Sequence, residues 1–281
     1  MTTLAQALAA AQAQGLPRLA AQQLLLKVLG RPRTDRAWLI AHDDQALSAE
    51  QWGQLQQGLR RHRAGEPLAY VLGEQDFYGL TLSVDARALV PRPDTETLVD
   101  WALACLPRGG RLLDLGTGSG AIALAVCAQR PDAHVVATDA SAQALALARH
   151  NAQRLGLAPQ FHQGFWLQAL PAGSAPFDVI VSNPPYIAED DPHLADLHAE
   201  PRCALTAGPS GLRDLFHLID HAGAVLKPGG WLLLEHGYDQ APAVCARLRE
   251  AGWCQVESRA DLGGVLRCSG GQLALTPQTG T

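Results

Sequence analysis

Two runs of residues have the types and spacing that chemistry requires. The first is Asp114-Leu115-Gly116-Thr117-Gly118-Ser119-Gly120, with Asp139 following 19 positions after Gly120. Glycines let the backbone turn sharply and leave room for a ligand to approach the main chain. A carboxylate at the end of the next strand can accept both hydroxyls of an adenosine ribose. The second run is Ser182-Asn183-Pro184-Pro185-Tyr186. A planar amide or aromatic amine nitrogen is a poor nucleophile, because its lone pair is delocalised. Methyl transfer from a sulfonium would leave it transiently cationic, and acceptors aimed at its NH₂ hydrogens favour that charge. Asn183 offers a side-chain carbonyl and Pro184 a backbone carbonyl. Two prolines stiffen the loop before a substrate arrives. Tyr186 can cover the flat face of the acceptor, and its ring suits a passing cation.

Each run has a plainer reading, a glycine-rich turn or an ordinary N-P-P turn. Gly116-x-Gly118-x-x-Ala121 also matches the dinucleotide fingerprint, so the loop alone does not choose a cofactor. Two features favour S-adenosyl-L-methionine over a nicotinamide dinucleotide. Asp114 lies two positions before Gly116, where it can serve the ligand's ammonium directly or through water, and the downstream run supplies a site for the methyl acceptor.

These residues need elements to position them. Arg111–Leu115 reads as a short apolar strand leading into the glycine loop, and Ala121–Ala128 as the helix leaving it. A strand over Val135–Thr138 delivers Asp139. A helix over Ser141–Leu155 is closed by Gly156. Phe177–Ser182 and Trp231–Glu235 are further strands, separated by a helix over Leu212–Leu226. Such alternation implies a mostly parallel, doubly wound sheet with the acceptor run at the carboxyl end of a strand, where ligands bind in open α/β sheets. The first 72 residues read as a small helical bundle with no visible chemistry. In it, Pro17 opens a leucine-rich helix that Gly30 and Pro32 stop, and Ser48 with Gln51 makes a capping box. Residues 73–93 read as a β-hairpin linker, and 94–281 as the catalytic domain.

Composition excludes several classes. The chain has 281 residues, 47% apolar and 17% charged, with a net charge of −5. Residues 1–75 hold 8 Lys+Arg against 6 Asp+Glu, and the remainder 14 against 21. No strong basic field exists to hold nucleic acid. Six cysteines without a C-x-x-C pair argue against a zinc site or a disulfide framework, and for reduced cytoplasmic thiols. Met1-Thr2-Thr3-Leu4 lacks a basic n-region, and no apolar run approaches the ~20 residues that cross a bilayer. The expectation is a soluble, cytoplasmic monomer that binds neither membrane nor metal.

The two motifs together resemble the amino-methyltransferases with an N-P-P-Y signature. The likeness narrows to the PrmC (HemK) family, the protein-(glutamine-N5) methyltransferases of peptide chain release factors, and runs over nearly the whole chain. It is carried by Arg63 with Gly65-Glu66-Pro67-Leu68, by Phe77-Tyr78-Gly79-Leu80, and by Val90-Pro91-Arg92-Pro93-Asp94-Thr95-Glu96. It continues through Leu113–Gly120, Val181–Ile187 and Leu232-Leu233-Leu234-Glu235-His236-Gly237. The resemblance implies a Rossmann-like class I S-adenosylmethionine-dependent methyltransferase with a helical N-terminal domain that recognises the release factor. The implied reaction methylates the glutamine of a Gly-Gly-Gln loop in class 1 release factors, at translation termination, and leaves S-adenosyl-L-homocysteine. By the same resemblance, Gly116, Thr117, Gly118, Ser119, Gly120 and Asp139 hold the cofactor, Trp166 borders the adenine, and Asn183 touches cofactor and substrate. Phe77, Arg92, Pro184, Pro185 and Tyr186 line the acceptor pocket.

Two departures stand out. Phe165 occupies the place before Trp166 where the family usually has an acidic residue, and the stretch Leu194–Leu205 is altered. Other features take the plain reading. His217 and His221 lack a third metal ligand, Glu235 and His236 support the site, and Gly270-Gly271-Gln272 copies the substrate tripeptide by coincidence in a turn. Two rival functions share the motifs: an adenine or other amino-group methyltransferase of nucleic acid, which the acidic charge disfavours, and a non-catalytic S-adenosylmethionine-binding adaptor, which the intact Asn183–Tyr186 run disfavours.

Overall fold

The computed structural model describes residues 2–275; Met1 and the last six positions of the chain lie outside them. Contacts divide the chain after Glu74 into two units.

In the first unit, leucine and alanine at helical spacing build the core. Helices α1 (Leu4–Ala13), α2 (Arg18–Val28), α3 (Arg36–Ala41), α4 (Ala49–Arg63) and α5 (Leu68–Leu72) enclose Leu4, Leu24, Leu25, Leu26, Leu39, Leu55 and Leu59. Capping boxes start α1 at Thr3 and α4 at Ser48, each closing two otherwise orphaned N–H groups. The Ser48–Gln51 box is where its sequence pattern puts it. Gly58 lets α4 approach α2, since a Cβ there would press on Leu24 at 3.0 Å.

The division falls within the first strand of a hairpin, β1 (Glu74–Phe77) and β2 (Leu80–Ser83), turned by Tyr78 and Gly79 at φ 49° and 77°. It is shorter than residues 73–93; the chain from Val84 to Arg92 is irregular. Then come α6 (Glu96–Cys105), β3 (Arg111–Leu115), α7 (Ala121–Gln129), β4 (His134–Asp139), α8 (Ala142–Leu155), β5 (Gln160–Gln163), β6 (Phe177–Ser182), α9 (Arg213–His221), β7 (Leu226–Glu235), α10 (Ala241–Glu250), β8 (Cys254–Ala260) and β9 (Leu266–Gln272). The sheet order is β5-β4-β3-β6-β7-β9-β8. Strands β3 to β7 are parallel, and β9 runs antiparallel to both β7 and β8. This is the expected mostly parallel, doubly wound sheet, with its order reversing at β3. Its core holds Leu113, Leu115, Phe177, Ile180, Leu232 and Leu234 under α9 and α10.

Three local expectations need correction. The helix over Leu212–Leu226 stops at His221 and gives way to a 3₁₀ turn, Ala222–Val225. Strand β7 starts at Leu226, five residues before Trp231, because Pro228-Gly229-Gly230 sits at a register shift against β6 and not in a loop. Gly270-Gly271-Gln272 lies in β9, not in a turn. A Cβ on Gly270 would stand 2.6 Å from the Leu232 carbonyl and 3.0 Å from the Trp101 ring, so the glycine serves close backbone approach. Gln272 Nε2 donates to the Gly229 carbonyl at 2.8 Å, which occupies this glutamine within the fold.

Candidate active site

Strand register brings the two chemical runs together. Leu115 pairs with Thr138 on one side and Ser182 on the other, and Ser182 pairs with Leu234. Gly116, Asp139, Asn183 and Glu235 therefore leave four neighbouring strands at one edge, the carboxyl end of the sheet. The Ser182 hydroxyl closes the arrangement by donating to the Leu115 carbonyl at 2.7 Å.

The glycine loop is held from below and from the side. Gly116, Gly118 and Gly120 have φ of 73°, 57° and 88°, conformations that a Cβ disfavours. The N–H groups of Gly116 and Thr117 both donate to the Thr138 carbonyl at 2.9 Å. Asp114 is fully buried beneath the loop, not on a cavity wall. One of its oxygens accepts the Thr117 hydroxyl at 2.6 Å and the Ala123 N–H at 3.1 Å. Its other oxygen is buried and, among the described residues, has no partner. Burial pushes its carboxyl up to about 7, against the pull of those two donors. Asp139 accepts the Gly118 N–H on one oxygen at 2.9 Å and the Ser141 N–H on the other at 2.8 Å. Burial also raises its carboxyl above the ordinary range. Asn151, on α8, ties the Ser119 carbonyl at 3.0 Å to both backbone groups of Ser83 in the hairpin.

A cavity of about 410 Å³ opens over these strand ends. Gly116 to Ser119, Asp139, Trp166, Asn183, Pro185 and Arg92 line it. Gly120, Asp114, Pro184, Tyr186 and Phe77 do not. Phe77 is buried at 1% exposure within the hairpin, and no part of it reaches the cavity wall. Tyr186 packs on the sheet core, its hydroxyl donating to Glu235 at 3.4 Å; burial raises its phenol well above the usual range. Trp166 is 8% exposed at φ 46°, with its ring against the Gly116 turn. Phe165, 50% exposed beside it, reaches the cavity itself. Asn183 Nδ2 donates to the Thr95 hydroxyl at 3.2 Å. Among the described residues no hydrogen bond reaches the Asn183 side-chain oxygen or the Pro184 carbonyl.

Other residues of the site carry no local sequence signal. Glu200, buried, accepts the Val90 N–H at 2.9 Å and pairs with Arg92. It stands in the altered stretch Leu194–Leu205, of which Pro201, Cys203 and Ala204 form one cavity wall. Gln240 donates to the Tyr186 carbonyl at 2.9 Å while accepting the Gly237 N–H at 2.9 Å. Among the described residues no group of three or more His, Cys, Asp or Glu side chains is arranged to hold a metal, and no helix is long and apolar enough to cross a membrane.

The sheet order and the site at its carboxyl edge define a methyltransferase domain. A family model for the methyltransferase small domain matches residues 95–199, and one for the PrmC N-terminal domain matches residues 2–73. A crystal structure of a methyltransferase from Pyrococcus furiosus shares the fold, with a TM-score of 0.56 at 19% identity over 78% of this chain and 98% of that one. The release factor glutamine methyltransferase of Bordetella pertussis is 50% identical over 92% of this chain and 96% of its own length. That of Salmonella typhimurium is 46% identical over 91% and 92%. The chain belongs to the release factor glutamine methyltransferases.

Proposed function

We propose that the protein transfers a methyl group from S-adenosyl-L-methionine to the side-chain amide nitrogen of the glutamine in the Gly-Gly-Gln motif of class 1 peptide chain release factors. The observation that carries the amide acceptor is the Asn183–Thr95 bond, which commits the NH₂ end of this cavity-lining residue and leaves its oxygen without a partner among the described residues. The release factor as substrate rests on the relatives' identity. The net charge of −5 supports protein over nucleic acid.

The residues present fit the cofactor. Each Asp139 oxygen spends one lone pair on a backbone N–H and keeps another for a ribose hydroxyl. The glycine turn lets the main chain approach, and a Cβ on Gly116 would press on Trp166 at 3.3 Å. Trp166 and Phe165 offer an aromatic border for an adenine, with Asp114 fixing the loop from beneath. S-adenosyl-L-methionine supplies an electrophilic methyl group when bound. The Asn183 oxygen accepts one hydrogen of the substrate NH₂, the carbonyl of Pro184, which lies on the same loop but off the cavity wall, is offered to the other, and the pair turns the face of the nitrogen toward that methyl. Both oxygens stabilise positive charge that appears only as the new bond forms. No general base is needed, because the methylated amide cation is strongly acidic. Arg92, held by Glu200, forms part of the wall beside the acceptor, and residues 1–72 recognise the release factor.

Asn183→Ala tests this reading. Single-turnover methyl transfer to purified release factor should fall by about 10²–10³, as removal of one preorganised group typically does. Binding of S-adenosylhomocysteine should change far less. A variant with near-normal single-turnover rates would reduce Asn183 to a turn residue and sink the mechanism. Nucleic acid as a parallel acceptor, with mass mapping of the product, tests the substrate class.

A further inference from the structure

Thr95 ends the short turn Pro93–Thr95 and begins α6. A threonine at that place ordinarily lends its hydroxyl to the first N–H groups of the helix. Here it makes no side-chain cap. The hydroxyl oxygen instead accepts Asn183 Nδ2–H from 88 residues away, at a side chain only 4% exposed. Glu235 is near it, 1% exposed, and among the described residues one of its carboxylate oxygens has no hydrogen-bond partner. Burial raises the Glu235 carboxyl to about 7, and the nearby Thr95 hydroxyl opposes that rise. Asp94, Arg267, Tyr186 and Cys268 are the other titratable groups around this carboxylate.

An asparagine amide can present either end to a neighbour, and nothing in Asn183 itself decides which. A threonine hydroxyl has one proton and two lone pairs. In the structure a lone pair of that hydroxyl faces Asn183 and takes the NH₂ end of the amide. A flipped amide would have to take the Thr95 proton instead, and would turn N–H donors toward a substrate group that is itself a donor.

We infer that Thr95 is the positioning residue that holds the NH₂ end of the Asn183 amide and so keeps its oxygen for the substrate. The inference rests on the proposed role of Asn183 as acceptor for the substrate NH₂. Thr95 touches neither the reacting nitrogen nor the methyl group in this scheme and acts through Asn183. Because α6 makes no use of the hydroxyl, its removal spares the helix.

Two variants of the full-length protein test it. Thr95→Val keeps the shape and deletes the hydroxyl. Its single-turnover rate should fall about 10- to 100-fold, the range expected when a reacting group is misplaced, while cofactor binding stays within about threefold of wild type. Thr95→Ser, which restores the hydroxyl, should recover most of the rate; a purely packing role for Thr95 predicts that Val is the milder change. A wild type that leaves release factor unmodified overturns the underlying reading, and this inference with it. An active wild type matched in rate by Thr95→Val overturns the inference alone.

Discussion

A Cβ on Gly211 would overlap the carbonyl oxygen of Tyr186, so the acceptor loop and the turn at residues 208–211 pack main chain against main chain. Gly211 stands at φ 70°, and the same Tyr186 oxygen accepts from Gln240. Gly211→Ala should thus act twice. The left-handed conformation alone costs an alanine about 1–2 kcal/mol, and the methyl group displaces the carbonyl from Gln240. Methyl transfer should fall by about tenfold or more, as misplacement of a reacting group implies, with cofactor binding nearly intact. Thermal unfolding and single-turnover rates on one preparation read both effects. Full activity in a folded Gly211→Ala would show that the loop tolerates movement here.

Asp139 serves the glycine loop and, in the proposed complex, the ribose. Asp139→Ala should weaken S-adenosylhomocysteine binding by roughly 1–3 kcal/mol, since charge-assisted hydrogen bonds are lost. Calorimetry measures it. Tighter binding of NAD than of S-adenosylhomocysteine by the wild-type protein would overturn the cofactor assignment.

The first 74 residues have their own leucine core and none of the residues that line the cavity. A protein beginning near Gln75 should bind S-adenosylhomocysteine yet methylate whole release factor poorly, with the loss in KM more than in kcat. Modification at the full-length rate would remove the recognition role from the helical unit.

Glu235 links stability to pH with a definite sign. Its folded carboxyl is raised from 4.5 to about 7, chiefly by burial. The folded state therefore holds a proton that the unfolded chain releases at lower pH. Stability contributed by this group is full below about 4.5, declines as pH rises to about 7, and is level above. Glu235→Gln should cancel that decline. Denaturant titrations at pH 5 and pH 8 should show wild type losing more stability over the interval than the variant. Equal losses would mean the carboxyl titrates as an ordinary one.

Much of this protein is legible in its residues because the signals are local. The glycine loop, the Asn183–Tyr186 run, the Ser48–Gln51 box and the apolar strands Arg111–Leu115 and Phe177–Ser182 each depend on neighbours a few positions apart. From them follow the class of fold, the edge of the sheet where the site lies, and the family. Strand β5 escaped because Gln160–Gln163 is a polar, half-exposed edge with no apolar run, and β9 because paired glycines read as a turn until Trp101 and β7 are seen to crowd them.

What tertiary structure alone decided is the set of partners. Thr95 meets Asn183 across 88 residues, and Glu200 meets Val90 across 110. Asp114 and Phe77 carry the residue types of a site yet sit under it or apart from it, while Phe165 reaches the cavity. Strand order and register bring such residues together, and these are set by how whole elements bury their apolar faces against one another. A side chain's local sequence does not encode which distant hydroxyl or carboxylate will face it once that burial is complete.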